Sequence, residues 1–349
     1  MKQVDFVILG FGIAGAIIAR ELIQRGKRVL VIDSAQNTAT AIAGGTIHPA
    51  VLRYYTKVWR GDEFWPVAKS HYRTWSEELS VPLITSKGLI RVFDSLDESR
   101  LWNKRREQDF WAQYLSPLSA DHRSEFPGIN APFALGLSDE FLRFDPKLLL
   151  DKYRQMLTER GQYIQAALSF HSGTELYGAI NQLGYNTHGV ILAQGHQQDF
   201  WPGMPQGNPI NAKKGQYLII ECPGLKMSRV VKSKHFVIPL GAHRYQVGAT
   251  YARDKDNNAQ IDSLERVKSD LDRLLMHPYK VVDCWTGTRP GTKDRKPVLG
   301  ALSLEDKLYV FNGLNSRGLL MAPLLGQWLA NYILDDTELP EEVSISRFF

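Results

Sequence analysis

An apolar strand-type run that passes straight into a glycine loop and an amphipathic helix is the first of three signals pointing to an α/β protein. The second is an acidic residue closing the next strand, and the third is a later series of short branched and aromatic segments separated by turns. Together they predict a Rossmann-like dinucleotide-binding domain joined to a second α+β domain built on a mixed, largely antiparallel sheet. At 349 residues the chain is long for one core and suits two, and 44% apolar with 23% charged residues is a globular composition.

Residues 4–9 are rich in branched apolar side chains, as in a strand buried on both faces of a parallel sheet. The loop Gly10-Phe11-Gly12-Ile13-Ala14-Gly15 follows at once. A helix is expected over 13–25, with Ile17, Ile18, Ala19, Leu22 and Ile23 on one face and Gly26 as its stop. In this setting Gly10 allows the tight turn, Gly12 lets backbone approach a pyrophosphate, and Gly15 lets helix and strand pack closely. Residues 29–32 form the second strand, ending in Asp33, 18 residues after Gly15, where a carboxylate can accept hydrogen bonds from ribose hydroxyls. The chain holds one such loop, which disfavours a plan that binds FAD and a nicotinamide dinucleotide on two separate units.

Further along, strands are expected at 88–93, 163–167, 190–195 and 308–312, and antiparallel strands at 215–220, 236–239 and 244–250. A charged helix is expected over 100–114. Another carries the apolar stripe Ile261, Leu264, Val267, Leu271, Leu274 and Leu275, and a last one spans 322–334. The nucleotide domain is then discontinuous, made of 1–83, 141–207 and 287–349, with 84–140 and 208–286 forming the substrate domain.

Cys222 and Cys284 are 62 residues apart and belong to no Cys/His cluster, so neither a disulfide framework nor a structural metal is expected. No nucleophile elbow, H-E-x-x-H or EF-hand loop occurs, which removes the usual hydrolase and metalloenzyme readings. The chain enters its first strand and glycine loop by residue 10 and has no run of 18 apolar residues, so a cytoplasmic protein with no membrane segment is expected. Net charge is +5, and Lys104-Arg105-Arg106, Lys213-Lys214, Lys232 with Lys234, and Arg295-Lys296 read as solvated surface that permits an anionic partner without requiring one. One cation stands apart: Arg289, set before Pro290 in a turn-rich stretch that runs to Gly300, suits a fixed guanidinium aimed at an anionic group of a substrate.

The order of these features resembles the D-amino-acid oxidase superfamily of FAD-dependent oxidoreductases, which includes glycine oxidase, sarcosine oxidase and the oxidase domain of a bifunctional tRNA wobble-uridine modification enzyme. The resemblance spans most of the chain and is carried by the early loop with Asp33, the small-residue segment 41–49, the strand Val190-Ile191-Leu192-Ala193-Gln194-Gly195, Gly248-Ala249-Thr250, and residues 287–300 and 308–319. Over 287–300 it is most like glycine oxidases.

The resemblance implies a noncovalently bound FAD. Its dinucleotide half would meet Gly10, Gly12, Ile13, Ala14, Gly15, Asp33 and Ser34, with Leu168, Ala193, Gln194 and Gly195 along the adenosine. Its ring would meet Ala41, Gly44, Gly45, Thr46 and Ile47 from one segment. Gly287 and the loop Gly313, Leu314, Asn315, Ser316, Arg317, Gly318 and Leu319 would meet it from others. The helix after that loop would point its N-terminus at the pyrimidine end of the ring, favouring the negative charge that develops on reduction. Arg289 would hold a substrate carboxylate bidentately and set the α C–H over flavin N5 for hydride transfer; water then hydrolyses the imine, and oxygen or another acceptor takes the electrons. His48 would line the pocket through hydrogen bonds or act as tether or base, and Tyr54, Phe236, Tyr245 and Tyr251 are candidates for lining the substrate space.

Where glycine oxidases carry a histidine, an aromatic and an arginine after the loop glycine, this chain has Leu314, Asn315 and Ser316, with Arg317 one place later. The expected substrate is a small amine or amino acid bearing a carboxylate. One alternative is a carboxymethylaminomethyl group on tRNA, with basic surface meeting phosphates. The other is a dinucleotide-binding protein without turnover.

Overall fold

A computed structural model describes residues 1–36, 39–117, 126–205, 207–250 and 257–349 of the chain. In chain order the elements begin β1 (Lys2–Leu9), α1 (Ile13–Gln24), β2 (Val29–Asp33), β3 (Thr46–Ile47), β4 (Ala50–Val51), β5 (Thr56–Lys57), α2 (Gly61–Glu78) and β6 (Ile84–Val92). There follow α3 (Leu96–Arg106), α4 (Asp109–Ala112), β7 (Leu135–Phe144), α5 (Pro146–Glu159), β8 (Tyr163–Gln165), α6 (Gly173–Gln182) and β9 (Tyr185–Leu192). The rest are β10 (Ile210–Glu221), β11 (Val230–Lys232), β12 (Phe236–Gly241), β13 (Arg244–Gly248), α7 (Asn257–Leu274), β14 (Lys280–Thr292), β15 (Val298–Ser303), β16 (Leu308–Asn312) and α8 (Gly318–Asp335).

One six-stranded sheet runs β15-β16-β9-β1-β2-β8, parallel except for the hairpin β15-β16. β1 lies inside it because both its faces are apolar. Ile8 packs with Ile17, Ile18 and Leu22 of α1, while Val7 and Leu9 pack with Leu176 and Ile180 of α6. The second sheet has eight strands in the order β14-β10-β13-β12-β11-β6-β7-β3, all neighbours antiparallel except β11-β6. Its outer face packs on α7 through Val267, Leu271 and Leu274, the predicted stripe; the side chain of Ile261 lies outside the described residues. β14 stays in this sheet through Thr292, and β3 joins it from the N-terminal part of the chain, so the chain crosses between sheets at both points.

Two elements differ from the sequence expectation. The helix expected over 100–114 is split into α3 and α4, with Gln108 in extended conformation between them; the break lets Trp102 and Trp111 both turn into the core. The last helix starts at Gly318 rather than 322 and contains Pro323. Proline has no N–H to offer the carbonyl four residues back, Leu319, and the buried Tyr72 hydroxyl of α2 donates to that carbonyl instead at 2.8 Å. No described helix is long and apolar enough to cross a membrane.

Candidate active site

The C-terminal ends of β1 and β2 open into a cavity of about 660 Å³ that extends beneath the second sheet. That volume lies within the usual range for ligand pockets. At its first end β1 turns through Gly10, whose φ of 99° and closeness to the Ala193 carbonyl leave no room for a side chain. A Cβ on Gly15 would sit 2.0 Å from the Gly10 carbonyl oxygen, so Gly15 serves helix-to-strand packing. Gly12 is different: a Cβ there would meet only Thr40 Oγ1, at 3.5 Å, and otherwise point into open space.

Helix α1 begins beside this gap with no side-chain cap on Gly12 and no acidic residue in its first turn. Its Ile13 amide is met by Thr40 Oγ1 at 3.0 Å. A helix start open to a cavity and free of first-turn acids is an anion site, and the pyrophosphate of a dinucleotide fits it. Asp33 closes β2 at the cavity wall, its Oδ1 accepting from the Phe11 amide at 2.9 Å and its Oδ2 from the Ala35 amide at 2.8 Å. Those bonds fix the carboxylate and leave lone pairs for ribose hydroxyls. Leu168, Ala193, Gln194 and Gly195 continue the same wall.

At the other end residues 39–45 press between the sheets. A side chain on Gly44 would strike Ile238, one on Gly45 the Phe144 carbonyl, and one on Gly287 the side chain of Ile42. Gln246 of β13 donates to the Ile42 carbonyl at 2.8 Å, which pins the segment to the roof. From below comes α8, whose start also lacks a side-chain cap or first-turn acid; Arg317, Gly318 and Leu319 line the cavity there. The preceding loop is tied to β14 by the Asn315 amide donating to the Pro290 carbonyl at 3.0 Å. The residue next to Arg289 is thus bonded to the loop that leads into α8. The cavity therefore has an anion-binding helix start, a carboxylate and a close-packed backbone wall where FAD needs them, and the residues present fit that group.

Arg289 lines the cavity from β14. Its guanidinium lies over Gly215 of β10, where any side chain would displace it. His48 is buried, with Nδ1 lying 3.0 Å from the Ala50 amide and 3.2 Å from the Ala50 carbonyl, and Nε2 lying 3.3 Å from Ser138 Oγ. Burial pushes the His48 pKa down to about 4, helped by the charge of Arg317 and opposed by the Ala50 carbonyl. A neutral ring with both nitrogens engaged, among Trp65, Tyr114 and Phe141, suits a wall rather than a base.

Of the residues singled out by sequence, Gly15, Ala41, Ile47 and Gly313 lie behind the cavity wall; the other predicted site residues border it. Ile47 is buried and pairs with Leu142 in β3-β7, and Gly313 turns the chain at φ 72° while donating its amide to Asn312 Oδ1. Tyr54 and Phe236 line the space, Tyr245 is core with its hydroxyl on the Leu225 carbonyl, and Tyr251 lies outside the described residues. Sequence reading overlooked Thr40, Tyr217, Arg53 and Lys232 as wall residues. Thr40 alone carried a signal, as a hydroxyl just ahead of the glycine pair. Among the described residues no His, Cys, Asp or Glu group could hold a metal ion.

A cavity of this build, a Rossmann start on one side and a roofing antiparallel sheet on the other, defines a dinucleotide-dependent enzyme of the flavoprotein type. The family model for FAD dependent oxidoreductases (DAO) matches residues 5–332, and the chain belongs to that family. It is 24% identical over 365 residues to the tRNA 5-methylaminomethyl-2-thiouridine biosynthesis bifunctional protein of Idiomarina loihiensis, the match taking in 99% of this chain and 59% of that protein. The chain thus spans about three fifths of that relative's length. It is 28% identical over 369 residues to the glycine oxidase of Bacillus licheniformis, covering 95% of this chain and 94% of that one. In fold it matches the crystal structure of glycine oxidase from Geobacillus kaustophilus at a TM-score of 0.76, over the whole of both chains and with 18% identity.

Proposed function

We propose that the chain oxidises the C–N bond of an amino acid or secondary amine carrying a carboxylate, releasing an imine that water hydrolyses. The observation that carries this reading is Arg289, a guanidinium in the cavity wall whose neighbour Pro290 is hydrogen-bonded to the loop before α8. Bound FAD supplies the acceptor for the hydride, and oxygen or another acceptor takes the electrons afterwards. Arg289 grips the carboxylate through two parallel N–H bonds and fixes the direction of the amine. The α8 start offers a positive dipole end to developing negative charge. Neutral His48 adds no charge to the wall, and the close-packed 39–45 segment excludes water.

Anaerobic addition of glycine, sarcosine, D-amino acids and L-proline to the FAD-loaded protein tests the reading. Bleaching of the flavin band by one of them is expected, and none by any amine would leave a dinucleotide-binding protein without turnover.

The likeness to the Idiomarina loihiensis protein, with a net charge of +5, favours a second reading, a carboxymethylaminomethyl group on tRNA as the substrate. It requires tRNA binding that weakens steeply as salt is raised.

A further inference from the structure

The cavity wall carries more basic than acidic side chains. Among the described residues, Asp33 is the one acidic side chain in the wall, and it belongs to the dinucleotide end. Arg53, Lys232 and Lys234 border the cavity together with Arg289 and Arg317. Lys234 is accounted for by Asp270, at 3.2 Å on α7.

Lys232 is not neutralised in this way. It is 7% exposed, its ammonium donates to the Ser233 and Lys234 carbonyls and lies 5.0 Å from the Phe236 ring centre, and no carboxylate pairs with it among the described residues. The nearby acids are engaged elsewhere, Glu98 with Arg91 and Asp94 with Ser233. An ammonium has three hydrogens, and the structure gives partners to two. Burial, then the positive charges of Arg91 and Arg53, push its pKa down to about 7, against the smaller raising effects of Asp94 and Glu98. Arg53 itself rests over Tyr54, with no carboxylate partner among the described residues. Two like charges held at one cavity wall, where no acidic side chain borders the space among the described residues, are a site for an anion.

Its place matters as much as its charge. Lys232 is on β11 and Arg289 on β14, with β12, β13 and β10 between them. Four strand spacings put their backbones roughly 20 Å apart, which leaves on the order of 10 Å once both long side chains reach inward.

Resting on the amine-oxidation reading above, we propose that the substrate is elongated and doubly anionic. A carboxylate beside the amine goes to Arg289, and a second anionic group at the far end goes to Lys232 and Arg53. A second carboxylate and a nucleotide phosphate share this chemistry.

The test compares N-(carboxymethyl)-ω-aminooctanoate with N-octylglycine, which lacks the distal charge, by the rate of flavin reduction at limiting substrate. A preference of roughly tenfold or more for the dianion is expected, falling below about threefold in Lys232→Met and in Arg53→Gln. The second variant changes an exposed side chain and guards against misfolding of the first. Equal rates for the two amines, or variants that slow both in proportion, would overturn the proposal and leave Lys232 a clamp on its own turn. Carboxymethylaminomethyluridine compared with its monophosphate distinguishes the sources, since preference for the monophosphate points to a nucleotide. If no amine reduces the flavin, the amine-oxidation reading fails separately. Calorimetric titration with octanedioate against octanoate then decides the anion site, a dianion preference lost in both variants supporting it and equal binding rejecting it.

Discussion

The guanidinium of Arg289 lies over Gly215 on the adjoining strand, so close that a Cβ at residue 215 would sit 2.2 Å from Nη1. Gly215→Ala therefore moves the end of a flexible side chain rather than backbone. The expected result is a rise of roughly tenfold in KM for a carboxylate substrate, with stability to urea changed by less than about 1 kcal/mol. Arg289→Met removes the anchor itself and raises KM by roughly 100-fold. Unchanged KM in both variants would remove Arg289 from the site.

Gly10 and Gly12 stand two residues apart and answer differently to the same substitution. Gly10→Ala meets the Ala193 carbonyl at 2.6 Å at a positive φ, and is expected to cost on the order of 3 kcal/mol or more in unfolding experiments. Gly12→Ala is extended backbone with ordinary contacts, so the protein folds normally. Its methyl group occupies the space in front of the α1 amides, and FAD affinity measured by fluorescence titration falls by roughly tenfold or more.

Tyr72 and Pro323 form a compensated pair, the hydroxyl satisfying the Leu319 carbonyl that proline cannot. Tyr72→Phe leaves that carbonyl unmet beside a buried ring, at about 1–3 kcal/mol. Restoring an amide with Pro323→Ala in the same chain should recover part of the loss in urea denaturation. Equal losses with and without the proline would show that the hydroxyl does not serve this carbonyl.

His71 of α2 is buried against Trp75, with Arg20 Nη1 at 3.4 Å from its ring nitrogens. Burial first and Arg20 second push its pKa down from 6.5 to about 3. Between those values the unfolded chain holds a proton that the folded one does not, so stability rises with pH across the window and is complete above 6.5. Acidification from neutral pH to pH near 5 should cost on the order of 2 kcal/mol through this group. Glu21, raised by burial, works in the opposite sense, so the readout is the difference in slope between the native chain and His71→Gln. Parallel slopes would exclude His71 as the source.

Much of the cavity wall could be read without coordinates because many of its residues are neighbours along the chain. Gly10, Gly12 and Gly15 lie within one strand-to-helix junction and Asp33 ends the strand beside it, whereas Arg289 lies in β14, whose backbone is held by pairing with β10. Where a segment alternates between wall and core the motif does not separate the two, since Ile47 and Gly313 belong to read motifs yet lie behind the cavity wall. The helix expected over 100–114 failed for a tertiary reason, the burial of both Trp102 and Trp111.

By itself the sequence determined the dinucleotide turn, the acidic residue opposite it, the strand-and-helix alternation and the arginine, all properties of neighbours along the chain. Only the tertiary structure decided that Lys232 and Arg53 share a cavity wall. It alone laid Arg289 over Gly215 and gave Tyr72 the carbonyl left by Pro323. Those relationships join residues between 74 and 247 positions apart, the second of these separations being that of Tyr72 and Leu319. They arise from strand order and helix packing, and neither periodicity nor spacing records which distant strands will pair.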